Sequence, residues 1–131
     1  MGFRDSPARL MLALLASVFL AGCKVGFSLP PDGLLQLSIH ETGQPVYARP
    51  LKENDPARLA IGRWLASNPD GWEYGFITRP PQVYLEGKGF SINITKDEVL
   101  LKYCRASYNC HYWIKKNSAL FSELRSLSKQ R

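Results

Sequence analysis

The sequence predicts an α+β domain in which two helices pack on one face of a small antiparallel sheet of four to five strands. One amphipathic helical segment follows the first β-favouring run, and another closes the chain after a series of short strands and turns. A chain of 131 residues that is 45% apolar and 21% charged suits one small globular domain. Internal repeats and low-complexity stretches are not seen.

The first predicted strand covers residues 34–40 (LLQLSIH), which are largely apolar with partial alternation. Gly43, Pro45 and Pro50 follow within a few residues. These residues favour turns, so residues 41–54 are expected to form a loop with at most a short extended piece around Val46-Tyr47.

The first helix is expected to begin at Asp55-Pro56 and to end near Ser67. Aspartate caps free backbone amides, and proline at the first helical position lacks an N–H that would otherwise go unpaired. Asn68-Pro69 ends the helix because proline disfavours helical geometry in the residue before it. One apolar stripe predicts the core face and comprises Ala57, Ile61, Trp64 and Leu65.

Several short β-favouring runs follow this helix. Residues 72–78 (WEYGFIT) form the first, and residues 82–85 and 90–95 flank a glycine-containing connection that predicts a hairpin. Residues 99–104 and 110–114 predict a second hairpin. Both are expected to lie in the antiparallel sheet.

The last predicted helix begins at Ser118, which is a suitable N-cap. Lys129 and Arg131 suit the negative end of the helix dipole. Apolar side chains recur at helical spacing and are expected to face the core: Leu120, Phe121, Leu124 and Leu127.

The first 23 residues have the layout of an export signal. Arg4 and Arg9 precede an apolar run of about a dozen residues, whereas a membrane-spanning helix needs about 20. The run ends in Leu20-Ala21-Gly22-Cys23, which resembles the lipobox of bacterial lipoproteins. Residues 1–22 are therefore interpreted as a lipoprotein signal peptide.

The lipobox resemblance implies that Cys23 becomes the mature N-terminus and carries a diacylglyceryl group and an acyl chain such as palmitate. Because Lys24 rather than aspartate follows the cysteine, the resemblance implies an outer-membrane anchor facing the periplasm, with a Gram-positive cell surface as the alternative. Residues 23–33 contain Pro30-Pro31-Asp32-Gly33 and are expected to be a lipidated linker. Residues 34–131 would then form the domain.

Cys104 and Cys110 remain once Cys23 is assigned to lipid. In an exported protein such a pair is expected to form a disulfide. Zinc binding with the neighbouring His111 and redox activity are the alternatives, but the spacing of five residues is neither the usual zinc spacing nor C-x-x-C.

The mature chain is expected to be basic, with 15 of the 17 basic and 10 of the 11 acidic residues remaining after removal of the signal. Such a surface attracts anionic lipid, acidic proteins or nucleic acid, and export argues against nucleic acid. The alternative is a solvated surface that keeps the protein soluble. Beyond Cys104 only Glu123 is acidic, against Arg105, Lys115, Lys116, Arg125, Lys129 and Arg131.

Catalytic motifs are not evident in the sequence. His40 and His111 are the two histidines, and neither lies in a recognisable nucleophile motif. Asp97-Glu98 are neighbours in a predicted turn and are expected to point apart. We therefore expect no enzymatic activity, no metal and no cofactor.

Aromatic residues near the predicted turns indicate a binding surface, with core packing as the alternative. The predicted partner-binding residues lie in and around the Cys104–Cys110 loop and are Arg105, Tyr108, Tyr112 and Trp113. The sequence thus predicts a lipid-anchored, non-catalytic protein-interaction module. A second hypothesis is an immunity or inhibitor lipoprotein that blocks a toxin or hydrolase in the envelope, and an enzyme is the third.

Overall fold

The computed structural model describes residues 24–31, 33–106, 108–117 and 119–128. In this part of the chain seven antiparallel strands form one sheet in the order β2-β1-β4-β5-β6-β7-β3, accompanied by two helices. The elements are β1 (Leu35–Glu41), β2 (Gln44–Leu51), α1 (Pro56–Ser67), β3 (Glu73–Tyr74), β4 (Val83–Gly87), β5 (Phe90–Ile94), β6 (Glu98–Cys104), β7 (Cys110–Lys116) and α2 (Ala119–Ser128). The predicted α+β class is confirmed, whereas the predicted four to five strands are too few.

Strand β2 lies where the sequence predicted mainly a loop. It pairs with β1 from Leu35 opposite Leu51 to Glu41 opposite Gln44, with one irregularity next to His40. Pro45 is tolerated because β2 is an edge strand, in which half of the backbone N–H groups need no ladder partner. The prolines therefore mark a sheet edge rather than a loop.

Strand β3 is much shorter than the strand predicted over residues 72–78. Only Glu73 and Tyr74 pair with β7, opposite Ile114 and Trp113. The next strand, β4, lies on the far side of β5 and β6, so the chain must leave the plane of the sheet after β3 to reach it. Strand β3 therefore ends after Tyr74 because the chain has to cross the sheet, although the following residues favour β structure.

The core lies between one face of the sheet and the two helices. Leu37, Leu85, Ile92 and Leu101 are successive cross-strand partners and form a continuous buried row. The predicted helix stripes complete this core with Ala57, Ile61, Leu65, Leu120 and Leu124 buried and with Trp64, Phe121 and Leu127 packed at its margin. We call this side of the sheet the helix-covered face.

Each helix begins at a side chain that accepts backbone hydrogen bonds. The Asp55 carboxylate accepts from the Ala57 N–H at 2.9 Å and is paired with the Arg49 guanidinium. Ser118, the predicted cap of the last helix, lies outside the described residues. The Asn117 side chain accepts from the N–H groups of Ala119 and Leu120, at 3.0 and 3.4 Å.

Residues 24–31 pack against the domain, although the sequence placed them in a linker. Val25 is buried, and Phe27 and Leu29 pack against the same core as the sheet and helices. Cys23 and the predicted signal peptide lie outside the described residues. None of the described helices is both long and apolar enough to cross a membrane.

Candidate functional site

The sheet has a second face, opposite the helices, which we call the outer face. It is formed by the alternate residues of β4 to β7 that point away from the core. The register places Tyr84, Asn93 and Leu100 in one row and Ser91, Lys102 and Tyr112 in the next. This face lacks a covering helix within the described part of the chain.

The crossing segment, residues 75–82, runs over the outer face from β3 to β4. At its start the Gly75 N–H donates to the Tyr112 carbonyl at 3.2 Å. At its other end the Asn93 side-chain amide donates to the Arg79 and Pro80 carbonyls at 3.3 Å and accepts from the Gln82 N–H at 3.1 Å. Asn93 is only 7% exposed, so its hydrogen bonds fix the segment to the middle of the sheet.

A cleft of about 290 Å³ lies between the crossing segment and the outer face. Its lining combines aromatic and aliphatic side chains with two cationic ones. The lining residues include Phe76, Ile77, Arg79, Tyr84, Leu100, Lys102 and Tyr112.

The aromatic side chains of this cleft are organised rather than scattered. The rings of Phe76 and Tyr112 meet edge to face with centroids 4.8 Å apart, and Lys102 Nζ lies 5.7 Å from the Tyr112 centroid. Phe76 remains 71% exposed. Arg79 forms an ion pair with Glu98 at 2.8 Å, whereas Lys102 forms no ion pair with the described residues. The site therefore offers an apolar contact surface next to a positive charge.

The β6–β7 hairpin ends in a turn closed by the predicted disulfide, which is confirmed. Cys104 and Cys110 are cross-strand partners with Cα atoms 4.0 Å apart, and their sulfurs are bonded. The Arg105 N–H donates to the Asn109 carbonyl at 3.1 Å inside this turn. Tyr108 is 89% exposed at the tip.

The four predicted partner-binding residues do not lie together. Tyr112 lines the outer cleft, and Arg105 and Tyr108 lie in the disulfide-closed turn. Trp113 also borders the outer cleft, but its side chain points to the helix-covered face because successive strand residues alternate. There it packs against the core margin and the Tyr74 ring, whose centroid is 5.1 Å away.

The sequence does not predict Phe76, Arg79, Tyr84 or Lys102 as partner-binding residues. Alternation along β6 could have placed Lys102 on the face opposite Leu101. No local sequence pattern reveals that the crossing segment, which lies at least 20 residues earlier in the chain, passes over the face that carries Lys102.

The basic residues of the C-terminal part are spread over the molecule. Lys115 lies on the helix-covered side and donates to the Asp70 carbonyl, whereas Arg125 pairs with Glu41 at 3.5 Å. Lys116 and Arg105 are exposed at opposite ends of the β6–β7 hairpin. Lys129 and Arg131 lie outside the described residues.

The two histidines lie on strands β1 and β7, four strand spacings apart. His40 Nε2 is 3.0 Å from Ser38 Oγ, a local contact between residues on the same face of one strand. His40 Nδ1 is buried without a hydrogen-bond partner among the described residues, so no carboxylate there orients the ring for catalysis. His111 stacks on Tyr103 with centroids 5.3 Å apart.

No grouping of three or more His, Cys, Asp or Glu side chains suited to a metal ion occurs in the described ranges. Comparison of the chain with family models, curated proteins and solved structures gives no match.

Proposed function

We propose that the protein is a non-catalytic protein-interaction module, held at the periplasmic side of the outer membrane by acyl chains on Cys23, that binds its partner at the outer cleft. The observation that carries this proposal is the Phe76–Tyr112 ring pair beside Lys102, in which Phe76 is exposed and Tyr112 half-buried. Aromatic residues of this kind supply the anchoring contacts of many protein interfaces because they bury a large area and lose little side-chain entropy.

The openness of the cleft favours a protein partner over a small molecule. Pockets for drug-sized ligands usually bury about 70–90% of the ligand surface, whereas this cleft lies open on the sheet. It suits one or two side chains projecting from a larger surface. An acidic side chain of the partner would be placed near Lys102.

The anchor part of the proposal is supported by the sequence. Arg4, Arg9, the apolar run and Leu20-Ala21-Gly22-Cys23 occur in the order that export and lipidation require. Several acyl chains on one residue give stable membrane binding, because each buried methylene contributes about 0.8 kcal/mol.

Site-specific photocrosslinking in cells tests the binding surface. A crosslinking amino acid at Phe76 should yield an adduct with one partner, which mass spectrometry identifies. The matched control is the same amino acid at Leu34, which is also apolar and 87% exposed but immediately precedes β1. Equal adducts at both positions, or none at Phe76, would contradict the proposal.

Metabolic labelling tests the anchor independently. The wild-type chain should incorporate radiolabelled palmitate and fractionate with membranes, whereas Cys23→Ser should do neither. Labelling that persists in Cys23→Ser would contradict lipidation at this residue.

An immunity or inhibitor role is the second candidate, and the hairpin tip is the observation that favours it. Tyr108 is exposed in a turn whose two ends are joined by the Cys104–Cys110 disulfide, so the freedom of the turn is restricted before it meets a partner. Such a turn suits insertion into the active-site cleft of a toxin or hydrolase.

Deletion of the gene should then sensitise cells to a toxin from neighbouring cells. The wild-type chain should restore survival, and Tyr108→Ala should not. Complementation by Tyr108→Ala as good as that by the wild-type chain would contradict a role for the tip.

A further inference from the structure

The first described residues are held to the domain along their whole length. Val25 is only 8% exposed, and its N–H donates to the Pro69 carbonyl at 2.8 Å. Phe27 contacts the rings of Phe90 and Tyr103, with centroids 5.1 and 5.9 Å away. Residues 25, 27 and 29 thus alternate into the core in the manner of a strand.

Polar contacts occur at both ends of this segment, and the weaker one is the largely exposed Lys24–Asp70 pair. Arg58 is buried in α1, and its guanidinium donates to the Pro30 carbonyl at 2.6 Å and to the Pro31 carbonyl at 3.3 Å. At the other end Lys24 Nζ lies 4.0 Å from an Asp70 carboxylate oxygen. The segment therefore provides no slack between Lys24 and the folded domain.

Lipidation at Cys23 would place the membrane immediately next to this point. Consecutive Cα atoms are about 3.8 Å apart, so the acylated residue and its acyl chains begin about 3.8 Å from the Cα atom of Lys24. Resting on the proposed lipidation, we infer that the domain lies directly on the bilayer rather than on a spacer. Its anchor-side surface, formed by Lys24, Pro69, Asp70 and Lys115, faces the lipid headgroups.

The position of Lys24 in the fold sets the orientation. Val25 joins the core on the helix-covered side, and Lys115 of β7 reaches the Asp70 carbonyl. The anchor-side surface therefore lies at the β7 edge of the sheet, on its helix-covered side, and this edge rather than the flat face of the sheet is turned towards the bilayer. The β1–β2 turn lies at the other edge, five strand spacings or about 24 Å from β7. The cleft is left open to a partner in the periplasm.

Fluorescence quenching in proteoliposomes tests this orientation with the full-length, acylated protein. Ser67→Cys places a fluorophore at the exposed end of α1, three residues before Asp70. Gln44→Cys places the matched control at the exposed start of β2. With phosphatidylglycerol-containing vesicles that carry a headgroup nitroxide, we expect quenching at residue 67 to exceed that at residue 44 at least threefold. Equal quenching, or stronger quenching at residue 44, would overturn the inference.

An inserted spacer tests whether the short tether is the cause. A flexible Gly/Ser segment of 20 residues between Lys24 and Val25 has a root-mean-square length of about 25 Å. It leaves the Val25–Leu29 packing intact and should remove the difference between the two positions. A difference that survives the insertion would overturn the short-tether explanation. If the wild-type chain carries no fatty acid, the proposed function itself fails, whereas an acylated chain with equal quenching contradicts only this inference.

Discussion

The helix-covered face and the outer face of the sheet are built from the same strands but have different surroundings. Along β5, Phe90, Ile92 and Ile94 point towards the helices, whereas Ser91 and Asn93 point towards the crossing segment. The first face is closed by two helices and residues 24–31, and the second is spanned by a single extended segment above an open cleft.

This difference separates stability from binding within one sheet. The central side chains of the helix-covered face are buried against other protein groups, so their burial stabilises the fold. The Phe76 and Tyr112 side chains of the cleft keep apolar surface accessible, and that surface gains contacts only when a partner arrives. Substitutions on the two faces should therefore change different measured quantities.

Ile92→Ala should cause the largest loss of stability. Ile92 is fully buried in the central row of the helix-covered face, and removal of its side chain leaves a cavity. We expect the free energy of unfolding to fall by about 2–5 kcal/mol, measured by urea denaturation of the purified domain.

Leu100→Ala is the matched control for Ile92→Ala, because Leu100 lies on the outer face and is only half-buried. Its loss of stability should be smaller than that of Ile92→Ala. Equal losses for the two variants would remove the proposed separation between the faces.

Replacement of both Cys104 and Cys110 by serine should lower the free energy of unfolding by about 2 kcal/mol. The disulfide closes a short loop and so restricts the unfolded chain. Urea denaturation of the double variant, compared with the oxidised wild-type domain, measures this loss. Reduction of the wild type should reproduce the effect. A double variant as stable as the oxidised protein would show that the cross-strand hydrogen bonds of the hairpin suffice to hold the turn.

Asp55→Ala, on the helix-covered side, should lower the free energy of unfolding by about 1–2 kcal/mol. The substitution removes the cap of α1 and leaves the Arg49 guanidinium without its carboxylate partner. Thermal denaturation measures the change. Asp55→Asn retains a capping oxygen and should lose less, so a loss as large as that of Asp55→Ala would assign the whole effect to the ion pair.

The helix-covered face could largely be predicted from the sequence. Phe90, Ile92 and Ile94 alternate along one strand, and Leu120 and Leu124 recur at helical spacing, so local periodicity was sufficient to identify core residues. The sequence does not predict strand β2, because Pro45 and Pro50 are tolerated at a sheet edge and edge position is a property of the whole fold.

The outer cleft could be predicted only in part. Tyr112 was identified from its place next to the cysteines, but so was Trp113, whose side chain points to the opposite face. Phe76 meets Tyr112 because the chain crosses three strands between β3 and β4, and strand order is a long-range property. Sequence patterns therefore predict which face of the sheet a side chain is on better than they predict its contacts with residues far away in the sequence.

Phe76→Ala should have the smallest effect on stability and a clear effect on binding. Because Phe76 is mostly exposed, we expect the free energy of unfolding to change by no more than about 0.5 kcal/mol. Binding of the crosslinked partner should weaken at least tenfold, since truncation of an aromatic anchor removes contacts that the partner alone completes. Titration calorimetry with the purified partner measures the affinity, and Leu34→Ala is the matched exposed control. A large loss of stability without a loss of affinity would mean that Phe76 fixes the crossing segment, and the open face would then contribute to folding like the covered one.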